Sequence, residues 1–286
     1  MARDVELPFS INLGDKVAVI TGGGGVLCSM FARALACCGA RVALLDLNLE
    51  AAQKAAAEIV AEGGRARAFQ ANVLDRENLL AVKEEVSAAF GPCDILINGA
   101  GGNNPRATTD KEYYEKGDAG DPGIRSFFSL DPESIQLVFG VNFTGTLLAT
   151  QVFARDMAEG KGGSIINVTS LSAFTPLTKI PAYSAAKAAV SNFTRWLAVY
   201  FSRANIRVNA IAPGFFVSAQ NRDLLYNEDG TPTSRTNKIL AATPLQRFGR
   251  EEELIAALLY LLSDGASFVT GIVLPVDGGF SAYSGV

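Results

Sequence analysis

The amino-acid sequence predicts an α/β fold: a single domain on a doubly wound parallel sheet of about seven strands, with helices on both faces. Two observations carry this. Short apolar, β-branched runs alternate with helix-length segments through the 286 residues, the pattern of parallel strands joined by helical crossovers. The first run opens directly into Gly22, Gly23, Gly24 and Gly25 and then a helical stretch, an arrangement that cradles phosphate at a helix N-terminus. Neither a repeat nor a linker interrupts the pattern, so residues 1–286 read as one domain.

Composition narrows the chemistry. With 49% hydrophobic and 19% charged residues, the chain belongs with ordinary globular domains. A net charge of −4, with Lys and Arg scattered singly, leaves no basic stripe for a nucleic acid. The sequence contains no histidine. That excludes a Ser-His-Asp hydrolase, a His-x-x-x-His zinc site and a histidine general base, and leaves proton transfer to Tyr, Lys, Cys or a carboxylate. Cys28, Cys37, Cys38 and Cys93 have neither metal-ligand nor disulfide-framework spacing. They read as buried hydrophobes in a reducing compartment, and no metal is expected. The opening MARDVELPFSINLGDK has no apolar core flanked by positive charge, so a cytoplasmic protein without a membrane partner is expected.

Taken in order, Lys16 to Ile20 is the first strand and Val26 to Cys38 the first helix. The glycine loop between them reads as a pyrophosphate cradle, with a plain tight turn as the alternative. Arg41 to Leu45 ends in Asp46, 24 residues after Gly22. A carboxylate there accepts hydrogen bonds from ribose hydroxyls and repels a 2′-phosphate, favouring NAD over NADP; the alternative is a cap on the helix beginning near Asn48. A helix from Leu49 to Glu62, a strand from Ala66 to Gln70, a helix from Asp75 to Phe90 and a strand from Asp94 to Ile97 follow. In Asn98-Gly99-Ala100-Gly101-Gly102, small residues let a flat ring or ribose lie against the backbone.

Asn103 to Phe128 has no period, and a loop this long is more often for binding than for spacing. Asn103, Asn104 and Arg106 in it are candidates to face a polyhydroxylated or anionic substrate. Asp131 to Met157 reads as one long helix carrying Asn142, whose amide is expected to bond a water or a backbone group. Ile165 to Val168 delivers Thr169 and Ser170 to the C-terminal edge of the sheet. The helix from Ala182 to Arg203 places Tyr183 and Lys187 four apart on one face. An ammonium near a phenol lowers its pKa from roughly 10 and makes it a usable acid or base; a surface Tyr and Lys that merely stack is the bland alternative. A strand from Ile206 to Ile211 leads through Pro213 and Gly214 into 215–243, a candidate lid containing Gln220, Asn221 and Arg222. A helix, Glu251 to Leu262, and a strand, Ile272 to Pro275, finish the chain before a glycine-rich tail.

The Thr21-Gly22 loop, Asp46, Asn98-Gly99-Ala100-Gly101, Asn142, Ser170, Tyr183-x-x-x-Lys187 and Pro213-Gly214 together resemble the short-chain dehydrogenase/reductase family over essentially the whole chain. Ser170 precedes Tyr183 by 13 residues (183 − 170), the interval usual in that family. The resemblance implies a Rossmann-type fold and a homotetramer. It implies a nicotinamide cofactor held by Gly22, Gly24, Gly25, Val26, Leu27, Asp46, Asn72, Val73, Asn98, Ala100, Gly101, Tyr183, Lys187, Pro213, Gly214 and Phe216. It also implies that Tyr183 is the acid/base, Ser170 holds the substrate oxygen, Lys187 binds the nicotinamide ribose and depresses the tyrosine pKa, and Asn142 holds a relay water. Two departures stand out: Val26 and Cys28 occupy the last two glycine places of the family loop, and Asn72 stands where an Asp is common.

Within the family, TGGGGVL, INGAGGNNPRATT, SAFTPLTKIPAYSAAKAAVSNFT, APGFFVSAQNR and VDGGFSAYSGV resemble the branch that interconverts D-mannonate and D-fructuronate. A sugar acid needs a cation and several hydroxyl-bonding groups; Arg222, Lys179, Arg106, Asn103 and Asn104 are the candidates. The competing readings are a reductase of another keto-sugar acid or polyol, such as one acting on gluconate, and a non-catalytic dinucleotide sensor on the same fold. A sensor has no need of the Asn142, Ser170, Tyr183 and Lys187 set.

Overall fold

The computed structural model describes residues 11–217 and 222–285. The readings made for the N-terminal ten residues and for Gln220 and Asn221 lie outside the described residues.

Seven parallel strands form one sheet in the order β3-β2-β1-β4-β5-β6-β7. They are β1 (Val17–Thr21), β2 (Arg41–Asp46), β3 (Arg65–Gln70), β4 (Ile95–Asn98), β5 (Gly163–Val168), β6 (Ile206–Pro213) and β7 (Val273–Val276). The inner strands β1 and β4 are buried throughout, which is why they read as continuous apolar runs. The edge strand β3, RARAFQ, keeps its arginines out of the core.

Helices α1 (Val26–Cys37), α2 (Leu49–Ala61) and α9 (Glu251–Leu262) cover one face. The other face carries α3 (Arg76–Phe90), α4 (Pro132–Phe139), α5 (Gly145–Glu159) and α6 (Pro181–Tyr200). Short polar side chains start several of them: Asn48 accepts from Ala51 N, Asp75 from Asn78 N, and Asp131 from Ser134 N. One apolar layer gathers Ile20, Phe31, Leu35, Leu44 and Leu258; the other gathers Val19, Leu96, Phe153, Met157 and Ile165. Each large side chain so buried stabilises the fold by about 1.5–3 kcal/mol.

The long helix expected from Asp131 runs from Pro132 to Glu159, but a π-turn over Gly140–Thr144 joins α4 to α5, with Asn142 inside it. π-turns of this kind concentrate at functional sites. The helix expected from Ala182 to about Arg203 runs from Pro181 to Tyr200, after which the chain tightens into a 3-10 turn over Ser202–Ala204.

Two segments project from the C-terminal strand ends, and the sheet order reverses between β1 and β4, where such sheets open a crevice. The aperiodic 103–128 segment is folded, with 3-10 turns at Pro105–Ala107, Asp118–Gly120 and Phe127–Ser129. The buried Asp118 carboxylate takes Lys111 Nζ at 2.9 Å. After β6 come the short α7 (Arg222–Leu225) and α8 (Ser234–Ala242). Lys238 of α8 pairs with Glu112 at 2.9 Å, tying this segment to the one after β4.

Candidate active site

A cleft of about 730 Å³ runs over the C-terminal ends of β1, β2, β3, β4 and β6. Its floor begins at Gly22, whose φ of +70° suits glycine and where a Cβ would stand 2.9 Å from Ala100 Cα. Thr21 Oγ1 locks the β1 and β4 ends together by accepting from Gly99 N at 3.1 Å and Ala100 N at 3.2 Å. Beyond Gly25, α1 begins without a side-chain cap and without an acidic residue in its first turn. Val26 and Leu27 of that turn line the cleft. Uncapped helix N–H groups and the positive end of the dipole suit a diphosphate, so the donor set fits a dinucleotide.

Asp46 lies at the cleft with both carboxylate oxygens engaged once: Oδ2 accepts from Gly24 N at 2.9 Å and Oδ1 from Asn48 N at 2.8 Å. The cap of α2 is Asn48. Each oxygen of Asp46 keeps a further lone pair for a ribose hydroxyl. Asn72, Val73, Gly99, Ala100, Gly101, Pro213, Gly214 and Phe216 also line the cleft, with Leu137 and Val141 from α4 and the π-turn and Leu224, Leu225 and Arg235 from the segment after β6. The backbone carbonyls and small residues at the β4 end leave room for a flat group.

Asn98 is placed differently from the expectation. Its side chain is buried under the site, where Nδ2 donates to Thr150 Oγ1 at 3.0 Å and to Asn167 Oδ1 at 2.8 Å. Asn167 in turn donates to Thr194 Oγ1 at 2.9 Å. This file of polar groups ties β4 and β5 to α5 and α6 through the Asn98 amide nitrogen, while Asn98 Oδ1 is buried without a hydrogen-bond partner among the described residues. Thr169 also turns inward: its hydroxyl bonds Lys187 O at 3.0 Å and Ser191 Oγ at 2.9 Å.

Two of the catalytic candidates stand directly behind Gly101, which lines the cleft. A methyl group on Gly101 would lie 2.5 Å from Asn142 Oδ1 and 3.1 Å from Lys187 Nζ, so both side chains converge there. Asn142 donates to Gly102 O at 2.7 Å and Val138 O at 2.8 Å and accepts from Gly102 N at 3.2 Å. Of the two expected partners for its amide, backbone groups take the donors. Ser170 caps the turn at Leu171–Ala173, accepting from Ser172 N at 3.2 Å, and its hydroxyl lies near enough to the Tyr183 phenol to favour the phenolate. Tyr183 packs with Ala107, Val138 and Ala182, so the segment after β4 braces it.

Lys187 is buried, donates to Val168 O at 2.9 Å, and holds Nζ 5.7 Å from the centre of the Tyr183 ring. Burial lowers its pKa to about 8, against a small opposing influence from Cys28. For Tyr183, desolvation raises the phenol above its ordinary 10, with the Ser170 hydrogen bond working the other way. In place of the expected depression, burial therefore outweighs the neighbouring groups at the phenol, and the Lys187 ammonium donates to Val168 O.

Cys28, in a usual glycine place, fills space: its sulfur packs on Gly99 and burial pushes the thiol up to about 12. Several expected substrate contacts are committed elsewhere. Asn103 donates to Thr108 Oγ1, Asn104 caps the turn at Pro105, and Arg106 pairs with Asp131 at 3.2 Å. Arg222 is exposed over the Tyr226 ring. Lys179 is half-buried in a left-handed backbone conformation (φ 72°), and its carbonyl accepts from Thr109 N.

A family model described as enoyl-(acyl carrier protein) reductase matches residues 27–281. A Haemophilus influenzae protein solved with bound NAD, described as a candidate D-mannonate oxidoreductase, is 59% identical. It superposes with a TM-score of 0.92 over 96% of this chain and 98% of its own. An uncharacterized oxidoreductase from Bacillus subtilis, UxuB, is 53% identical over 281 residues, 98% of this chain and 100% of that one. A gluconate 5-dehydrogenase from Burkholderia cenocepacia, solved with NADP and tartrate, superposes with a TM-score of 0.82 at 28% identity, over 96% of this chain and 98% of that one. With this fold, this cleft and these relatives, the chain belongs to the short-chain dehydrogenase/reductase family of nicotinamide-dependent oxidoreductases.

Proposed function

We propose that the protein interconverts a secondary alcohol and a ketone of a sugar acid, the pair being D-mannonate and D-fructuronate, with NADH preferred over NADPH. The observation that carries the chemistry is the convergence of Asn142 and Lys187 on Gly101, which lines the cleft, with the Tyr183 ring 5.7 Å from Lys187 Nζ and Ser170 beside the Tyr183 phenol. The substrate reading is supported by the description of the Haemophilus influenzae relative, and the cofactor preference by the placement of Asp46. A second reading, a gluconate-type substrate, is favoured by the Burkholderia cenocepacia neighbour.

The bound nicotinamide supplies or accepts the hydride. In the reducing direction the Ser170 hydroxyl holds the ketone oxygen and Tyr183 Oη gives it a proton; in the oxidising direction the proton returns to Tyr183. Lys187 would hold the nicotinamide ribose with the N–H groups that Val168 O leaves free. Asn142 is a positioning residue that pins Gly102 and the π-turn. Lys179, half-buried and near Glu112 in the segment after β4, is the cation proposed to receive the sugar-acid carboxylate.

The same proposal includes a homotetramer in the cytoplasm. The exposed aromatic stripe of Trp196 and Tyr200 on α6 supports assembly, and the four unpaired cysteines support a reducing compartment. The test is NADH and NADPH oxidation against D-fructuronate, 5-keto-D-gluconate and a panel of other keto-sugar acids. NADH oxidation with D-fructuronate at a kcat/KM well above the panel supports the reading. Preference for another member replaces the substrate and keeps the chemistry.

A further inference from the structure

We propose that Arg235, in the first turn of α8, binds the diphosphate of the nicotinamide cofactor. The inference rests on the nicotinamide reading and is independent of which sugar acid is the substrate.

Four observations converge on this residue. Arg235 lines the cleft together with Val26 and Leu27, the first residues of the uncapped helix α1. Among the described lining residues it is the one cation, and the one carboxylate is Asp46. No ion pair, hydrogen bond or ring contact engages its guanidinium among the described residues, whereas Arg33, Arg76, Arg106, Arg125 and Arg247 all have carboxylate partners. It also stands in the first turn of a helix that has no acidic residue there, the end where the dipole disfavours a positive charge. A charge placed against its local preference, without a compensating partner, marks a functional position.

The rest of α8 is held without Arg235. Thr236 and Ile239 are buried, Thr233 caps the helix by accepting from Thr236 N at 3.3 Å, Thr243 Oγ1 donates to Ile239 O at 2.7 Å, and Lys238 pairs with Glu112. The guanidinium is therefore presented on an anchored element. In the same cleft, the α1 amides can take part of the charge of a diphosphate, but they are dipoles. A dianion in a cleft whose fixed charge is Asp46 needs a cation, and a planar guanidinium offers paired donors to phosphate oxygens.

The test measures binding without substrate. NADH, ADP-ribose and adenosine are titrated calorimetrically into the wild-type protein, Arg235→Gln and Arg235→Lys, at low salt and at about 0.5 M salt. Arg235→Gln is expected to weaken NADH and ADP-ribose by about tenfold at low salt and adenosine by less than twofold, with the difference shrinking at high salt. Arg235→Lys should fall between. Thermal unfolding of the free variants should match wild type, since the guanidinium has no partner to lose. NADH affinity within twofold of wild type in Arg235→Gln would overturn the proposal, as would an equal loss for adenosine, which would mean stacking on the base. Kept NADH affinity with a raised KM for the keto-acid would assign Arg235 to the substrate carboxylate instead and also overturn it.

Discussion

Lys187→Met separates the functional value of this lysine from its structural cost. Burial takes the Lys187 pKa from its ordinary 10.5 to about 8. At about 1.4 kcal/mol per pH unit, carrying the charged form inside the fold costs about 3 kcal/mol near neutral pH. Methionine removes that cost and keeps most of the volume, but leaves Val168 O without its donor, a loss of about 1 kcal/mol. The variant should then be more stable than wild type by about 2 kcal/mol at pH 7. The sign of the pH dependence follows. Between about 8 and 10.5 the unfolded lysine holds a proton that the folded one has released, so the wild-type penalty is full below 8 and fades as pH rises through 10.5. Cys28 and Tyr183, both raised by burial, push wild-type stability the other way over part of this range. The informative quantity is thus the difference between the two proteins in urea denaturation at pH 7 and pH 10. A gain for the variant at pH 7 that vanishes or reverses by pH 10 is expected, alongside lost turnover. A variant less stable at pH 7, or a difference that does not move with pH, would refute the reasoning.

Asp46→Ser should lower the NADH-to-NADPH ratio of kcat/KM by at least about tenfold, because the carboxylate that would repel a 2′-phosphate is gone; an unchanged ratio in steady-state assays would remove Asp46 from cofactor selection. Gly99→Ala should destabilise by about 1–3 kcal/mol, since its methyl would overlap Cys28 Sγ and press Thr21 O at 3.0 Å. Adding Cys28→Gly should restore only part of the loss, because the Thr21 contact remains; the coupling is read from a double-mutant cycle of urea midpoints, and additivity within about 0.5 kcal/mol would contradict the packing described. Asn142→Ala strips two donors from backbone carbonyls and should lower melting temperature and kcat together, whereas a drop in kcat with unchanged melting would give Asn142 a more direct chemical part.

The seven strands and their order of appearance were legible because an inner parallel strand buried on both faces leaves an unbroken apolar run, as in Val17–Thr21 and Ile95–Asn98. The Gly22 loop, Asp46 and the Tyr183 and Lys187 pair were legible because their chemistry is tied to local spacing. What escaped depends on tertiary placement. Asn98 has the same local context whether it faces a cofactor or Asn167; only the register of β4 against β5 decides, and it pairs the two asparagines directly. The π-turn is invisible to a 3.6-residue period, although Gly140 and Gly145 flanking Asn142 were a usable signal. Leu137, Val141 and Arg235 reach the cleft from elements distant in sequence, and no motif announces them. The Tyr183 pKa went the other way from the expectation because spacing places Lys187 on the same helix face but says nothing about the burial of the phenol, which raises it, or about Val168 O, which accepts from the ammonium.

The central claim is that Tyr183 moves the proton while the cofactor site stands independently of it. The most direct measurement is single-turnover oxidation of NADH by D-fructuronate in wild type and Tyr183→Phe, with the NADH dissociation constant measured on the same samples. The account predicts a wild-type turnover reduced by at least about 100-fold in the variant, with NADH affinity within a few-fold of wild type. Turnover that survives the loss of the hydroxyl would contradict it.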